Sequence, residues 1–206
     1  MSKTIIIAGD KGGAGKTCVS HAICHGLGLY GVTTVHVTTD PRRLVLSDDK
    51  RVYATLDGRN VSQLASVIDG LADRDDVVLV IDGGGGRPDV DVVLSQAADL
   101  TILPFLHSEE DLRVVAADLD RLASAHALPN RWPTNKHARD AAERSIGAIL
   151  ETYRGRMMSP LMETNGLITL VSENGPAQRI NNTCKNFAVR VLERMGLTLL
   201  SFPKHR

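Results

Sequence analysis

Nowhere in the 206 residues does an apolar run approach the ~18 residues that a membrane-spanning helix needs. No secretory leader is expected either. Strand-like sequence begins at Thr4, which leaves no space for a charged segment followed by an apolar one. Cysteine is scarce: Cys18, Cys24 and Cys184 lack metal-ligand spacing, and an odd number leaves one thiol over in any disulfide scheme. A reducing cytoplasm is the plain setting. There is no internal repeat, low-complexity tract or linker. One domain spanning residues 1–206 is therefore expected, large enough for a substantial core and without an N-terminal helix-turn-helix domain.

Net charge is also lacking, but the charges that cancel are unevenly spread. Residues 1–130 hold 12 Lys and Arg against 18 Asp and Glu, a net −6, and residues 131–206 hold 12 against 6, a net +6. An excess of basic residues in one part hints at an anionic partner for that part, unless folding mixes the two sets on one surface.

What is present is an alternation of strand and helix signals. Residues 5–7 are a β-branched run, 33–38 a second strand, 51–55 a weaker third, and 77–81 the most strand-like of all, ending at Asp82. Residues 100–105, 127–130 and 166–171 complete the strands. Helices are expected over 17–30, 62–71, 90–97, 109–126, 137–154 and 177–195, with 155–165 as the main irregular loop. Alternation of this kind predicts an α/β fold, a mostly parallel twisted sheet with helices on both faces.

The first strand runs into Asp10-Lys11-Gly12-Gly13-Ala14-Gly15-Lys16-Thr17. Strand, glycine-rich loop and helix in that order form the context of a phosphate-binding loop. Glycines let successive backbone N–H groups turn inward, and the helix N-terminus adds partial positive charge. Lys16 can neutralise the β- and γ-phosphates, and the Thr17 hydroxyl can ligate Mg²⁺. The general pattern G-x-x-x-x-G-K-[ST] would put its first glycine at Asp10; an additional lysine, Lys11, follows instead.

This K-G-G-x-G-K-[ST] form resembles the deviant Walker A loop of the ParA/MinD superfamily, most closely the small ParA-type partition ATPases. The resemblance implies a P-loop ATPase that binds ATP and Mg²⁺ through Lys11, Gly12, Gly13, Ala14, Gly15, Lys16, Thr17 and Cys18. It also implies that Lys11 reaches the partner's nucleotide in a dimer. Asp40-Pro41 stands where that superfamily has a D-x-D-P-Q-like motif, so Asp40 would activate water. Thr38 replaces the first aspartate and Arg42 the glutamine. Asp82, at the end of an apolar strand, resembles a Walker B metal ligand, and the flexible run Gly83-Gly84-Gly85-Gly86 after it would suit a switch. Ala98 to Pro104 matches an A-D-x-x-I-x-P stretch. Asn130-Arg131 resembles the pair whose Asn contacts adenine. Asn135-Lys136 lacks the aspartate of a guanine motif, since Ala138 stands there, which favours ATP. Residues 171–176 sit where relatives have a further base-flanking loop.

Two other features stand apart from the loop. His21 and His25, at i,i+4 with Cys24 beside them, have a spacing that Zn²⁺ could use, but they lie behind the loop, where packing is expected. The C-terminal helix carries an apolar stripe, Ile180, Cys184, Phe187 and Val191, and a separate polar one with Arg179, Thr183, Asn186 and Arg190. Arg179, Lys185 and Arg190 are the DNA-binding candidates, through phosphate alone.

The function expected from the resemblance is slow, partner-stimulated ATP hydrolysis. It would be coupled to dimerisation on ATP and to nucleotide-gated, non-specific DNA binding in plasmid or chromosome partition. A centromere-binding adaptor, a cytoplasmic, nucleoid-associated location and no stable membrane association complete that expectation. The rivals are an ATPase positioning other cargo, such as a conjugation accessory, a MinD-like membrane-cycling ATPase, a small-molecule kinase or synthetase on the same loop, and a non-hydrolysing adaptor. Residues 196–203 are apolar but short and proline-broken, so a strand or tail is expected there rather than a membrane anchor.

Overall fold

The computed structural model describes residues 1–84 and 88–203. Six parallel strands form one sheet: β1 (Lys3–Ile7), β2 (Thr33–Thr38), β3 (Ala54–Asp57), β4 (Val77–Asp82), β5 (Leu100–Phe105) and β6 (Ala125–Pro129), in the order β3-β2-β4-β1-β5-β6. The helices are α1 (Lys16–Gly28), α2 (Val61–Leu71), α3 (Pro88–Ala97), α4 (Glu109–Arg121), α5 (Lys136–Ile149) and α6 (Asn181–Arg194).

The period of two along each strand divides the core in two. Ile5, Ile7, Val78, Val80 and Ile102 face one way, onto Val19, Ile23 and Leu27 of α1 and Cys184, Phe187 and Val191 of α6. Ile6, Ala8, Val35, Val37, Leu79, Ile81 and Leu103 face the other, onto Leu112, Val115 and Leu119 of α4 and Ala142 and Ile146 of α5. The crossing of α1 and α6 is close enough that a Cβ at Gly26 would stand 2.1 Å from the Cys184 carbonyl oxygen.

Several sequence expectations are corrected. Residues 166–171 are no strand: Leu167–Val171 is a 3₁₀ helix, held by the Thr169 hydroxyl donating to the Gly166 carbonyl at 2.6 Å. The third strand lies later than expected, at Ala54–Asp57. Arg51 is instead taken up in a turn, donating to the carbonyls of Ser47 and Ser172, both at 2.6 Å. Helix α4 stops at Arg121 because β6 begins at Ala125, ahead of the expected 127. The helix expected over 137–154 ends at Ile149 and passes into a 3₁₀ stretch, Glu151–Arg156. A 3₁₀ turn, Gln178–Ile180, opens the last helix. The tail forms another, Leu199–Ser201, and is anchored by buried Phe202.

Candidate active site

Three strand ends converge. In the register of the sheet Ile7 of β1 and Thr38 of β2 both pair with Asp82 of β4. The residues just beyond β1 and β2 therefore emerge on either side of Asp82. In open parallel sheets the crevice outside the carboxyl ends of the strands is where ligands bind.

The loop after β1 is shaped by glycines. Gly13 (φ 82°) and Gly15 (φ 93°) are left-handed, a region unfavourable to residues with a Cβ. Gly15 is doubly required, since a Cβ there would meet the Asn130 side-chain nitrogen at 2.3 Å. Gly15 is also the N-cap of α1, with no side-chain cap and no acidic residue in the first turn, so the helix's first N–H groups face the cleft. Lys16 folds back and donates to the carbonyls of Gly9 at 2.8 Å and Lys11 at 3.0 Å. Burial pulls its pKa below the ordinary lysine value, against the charges of Asp82, Asp91, Asp118 and Asp10. Lys11 takes another course. Its ammonium reaches Glu110 at 2.6 Å and Asp111 at 3.3 Å, in the first turn of α4, and hydrogen bonds to those carboxylates raise its pKa.

Asp82 is buried, and neither of its carboxylate oxygens has a hydrogen-bond partner among the described residues. Burial pushes its pKa up to about 7, countered by the nearby Thr17 hydroxyl and the Lys16 charge. A buried carboxylate left without donors is a poor structural element and a good cation ligand. With Thr17 at the start of α1, Asp82 fits an Mg²⁺ site. Thr39 stitches β2 to β4: its hydroxyl donates to the Asp82 carbonyl at 2.7 Å and accepts from the Gly84 N–H at 3.0 Å. A Cβ on Gly83 would lie 2.6 Å from the Ile7 carbonyl oxygen, and one on Gly84 3.2 Å from the Asp40 Cα. These two glycines are thus pinned by close backbone approach. Gly85 and Gly86, the rest of the expected switch, lie outside the described residues.

Asp40 begins a turn in which its side chain accepts the Arg42 N–H at 2.9 Å and its carbonyl accepts the Arg43 N–H at 3.1 Å. Asp40 lines a cleft of about 700 Å³ with Asp10, Gly12, Gly13, Gly15, Lys16, Thr17 and Cys18, and with Arg42, Arg43 and Arg131 on its rim. An adjoining niche of about 290 Å³ is walled by Leu161, Leu167, Ile168, Asn130 and Arg131. It is the apolar neighbour that a nucleobase beside a phosphate loop requires. Asn130 is positioned there, although its amide donates to the Ala14 carbonyl at 2.7 Å and thereby also braces the loop. Arg131, beside it, has a positive φ of 49°. Asn135 serves another purpose, capping α5 by accepting the Ala138 N–H at 2.8 Å.

Sequence reasoning missed the supports of the loop. Asp118 of α4 accepts from the Asp10 N–H at 3.1 Å, Asp91 of α3 from the Gly9 N–H at 3.3 Å, and Arg121 pairs with both Asp118 and Asp10. Burial raises the Asp91 pKa to about 6. A signal existed for one of them: Asp118 interrupts the inward stripe of Leu112, Val115, Leu119 and Leu122. The niche residues 161–168 had none, being irregular; they take the place expected for 171–176, of which Val171 lines the main cleft.

The other candidates fall outside the cleft. His21 stacks on His36 with ring centroids 3.8 Å apart and bonds Tyr53 at 2.8 Å, and His25 bonds Asn181 at 2.9 Å. Arg179, in the 3₁₀ turn ahead of α6, is exposed, and on α6 the Lys185 ammonium lies 5.0 Å over the Tyr30 ring. Arg190 is not free as expected: its guanidinium donates to the Pro160 carbonyl at 3.0 Å and lies over Phe187. No helix among the described residues is long and apolar enough to cross a membrane.

A glycine-rich loop, a buried carboxylate and a parallel sheet in this arrangement define a P-loop nucleotide-binding fold. No protein-family profile and no curated protein matches the sequence. Solved structures do. The MinC:MinD cell division complex of Aquifex aeolicus aligns with TM-score 0.72 at 15% identity, over 100% of this chain and 99% of that one. An ATP complex of McdA from Cyanothece aligns with TM-score 0.67 at 13% identity, over 96% and 97%. Cobyrinic acid a,c-diamide synthase of Mycobacterium smegmatis, with bound ADP and magnesium, aligns with TM-score 0.64 at 18% identity, over 100% of each. The chain has the α/β fold of the ParA/MinD superfamily of P-loop ATPases.

Proposed function

We propose that this chain is a ParA-like ATPase that dimerises around two ATP molecules and works in plasmid or chromosome partition through nucleotide-gated, non-specific DNA binding. The observation that carries the reading is the meeting of the loop 11–17 with the buried, donor-less Asp82, beside a niche fit for a base. On this reading the loop N–H groups and Lys16 hold the phosphates, and Asn130 braces the loop beside the base. Bound Mg²⁺ would be held by Thr17 and Asp82 and would supply neutralisation of the phosphate charge. Asp40 orients the attacking water. The water oxygen bonds to the γ-phosphorus, the bond to the bridging oxygen breaks with its electron pair going to ADP, and the water's proton leaves through the Asp40 carboxylate.

The ATP complex of McdA and the MinC:MinD assembly support nucleotide binding and work through a partner protein. DNA binding rests on the basic C-terminal part, with Arg179 in the turn ahead of α6 and Lys185 on α6, and the partner proposed is a centromere-binding adaptor in the cytoplasm. A second reading, a synthetase, is favoured by the likeness to cobyrinic acid a,c-diamide synthase. ATP turnover and sedimentation, with and without duplex DNA, separate them. Slow turnover with an ATP-dependent dimer that binds duplex DNA is expected. A monomer that hydrolyses ATP only with a small acceptor would refute the partition reading.

A further inference from the structure

The cleft sets carboxylates against Lys16 and three arginines, Arg42, Arg43 and Arg131. Asp10 and Asp40 are on its walls and Asp82 is buried among the strand ends behind it, and a triphosphate would add its own. The turn after β2 brings arginines to that place. Pro41 has its φ fixed by its ring, and the Arg43 N–H closes the turn onto the Asp40 carbonyl at 3.1 Å. The Arg43 Nε then lies 3.9 Å from the Asp40 Oδ2, with its side chain 57% exposed toward the cleft. Among the described residues that carboxylate is its one side-chain partner.

We propose that Arg43 is a further catalytic residue of this site, a charge donor supplied from within the chain that contacts the γ-phosphoryl oxygens as the bond to the bridging oxygen breaks; this rests on the ATPase reading above. The geometry suits a guanidinium. Its planar fork of five N–H donors can hold the Asp40 carboxylate on one edge and a phosphoryl oxygen on the other, which an ammonium cannot. Preorganised positive charge of this kind acts where charge develops in the transition state. Arg43 thereby keeps Asp40 aimed while answering the charge that Asp40 itself repels.

The test compares wild type with Arg43→Ala and Arg43→Lys. Three readouts are needed: kcat for ATP, the Kd of a non-hydrolysable ATP analogue, and trapping of ADP by aluminium fluoride as a transition-state mimic. Arg43→Ala is expected to lower kcat by roughly 10²-fold or more and to lose ADP–fluoride trapping, with the analogue's Kd within about threefold of wild type. Arg43→Lys should recover only a minor part of kcat. Turnover or trapping that survives Arg43→Ala overturns the inference alone. A kcat unchanged with analogue affinity lost also overturns it, placing Arg43 in ground-state binding. Absence of turnover in wild type would overturn the ATPase reading and this inference with it.

Discussion

The histidine pair behind the loop makes acid a specific threat to this protein. His36 is fully buried in β2, stacked on His21, and burial holds its pKa at about 3. Ser20 donates to the Thr17 carbonyl at 2.9 Å, so His36 Nε2 donates to the Ser20 oxygen, and its Nδ1 has no partner among the described residues. A proton arriving at Nδ1 would find no acceptor. In the unfolded chain the same ring titrates near 6.5. Below that value the unfolded state binds a proton that the folded state refuses, so stability falls as pH falls. The slope is about 1.4 kcal/mol per pH unit for one group, which integrates to about 2 kcal/mol between pH 7 and pH 5. His21, His25 and His126 are depressed by burial too and act in the same direction. His36→Phe isolates the share: it keeps a ring against His21, and Ser20 keeps its Thr17 bond. Urea unfolding of both proteins at the two pH values is the assay. Wild type should lose about 2 kcal/mol more than the variant over this range. Equal losses would refute the claim that the stack is neutral and sealed from water.

Three further outcomes concern the cleft and its surroundings. Lys11→Ala should still bind ATP through Lys16 but remain monomeric with a non-hydrolysable analogue in sedimentation, while Glu110→Gln, which removes the exposed one of the two carboxylates that hold Lys11 and leaves Asp111, should tighten ATP-dependent dimerisation by roughly two- to fivefold, the scale of an exposed ion pair; a wild-type dimer from Lys11→Ala would sink the reading. Asp40→Ala should cut kcat by roughly 10²-fold or more and leave ATP affinity near wild type in equilibrium binding. Arg179→Glu with Lys185→Glu should abolish duplex binding in ATP and flatten its salt dependence with nucleotide binding intact; an unchanged salt slope would place any DNA surface elsewhere.

Much of the site was legible because it lies where sequence spacing and sheet register agree. Residues 11–17 and Asp40 follow the ends of β1 and β2, Asp82 ends β4, and the parallel pairing of these three strands brings them together. The fold was legible for the same reason, in the apolar runs of β1, β4 and β5. Legibility failed where geometry depends on partners distant in the chain. The 3₁₀ helix at Leu167–Val171 contains a β-branched, apolar sequence that reads as a strand, yet its carbonyl groups are satisfied locally and by Arg51 rather than by a sheet edge. The engagement of Arg190 with the Pro160 carbonyl is invisible to a helical wheel, which shows a polar face but not what packs beside it. Asp91 shows nothing locally of its bond to Gly9.

The folded-back posture of Lys16 has a consequence for selectivity. Its two bonds to the carbonyls of Gly9 and Lys11 brace the loop while occupying the charge that the proposed function gives to phosphate. An incoming ligand must displace both before it gains anything, and charged hydrogen bonds of this sort are worth about 1.5–3 kcal/mol each. A nucleoside diphosphate or triphosphate can offer the ammonium replacement oxygens while its other phosphate fills the N–H cradle. A monophosphate can do one or the other. On the proposed reading, AMP and inorganic phosphate should therefore be rejected more strongly than their lost contacts alone would suggest, whereas adenosine, with no phosphate to place, would not meet this penalty.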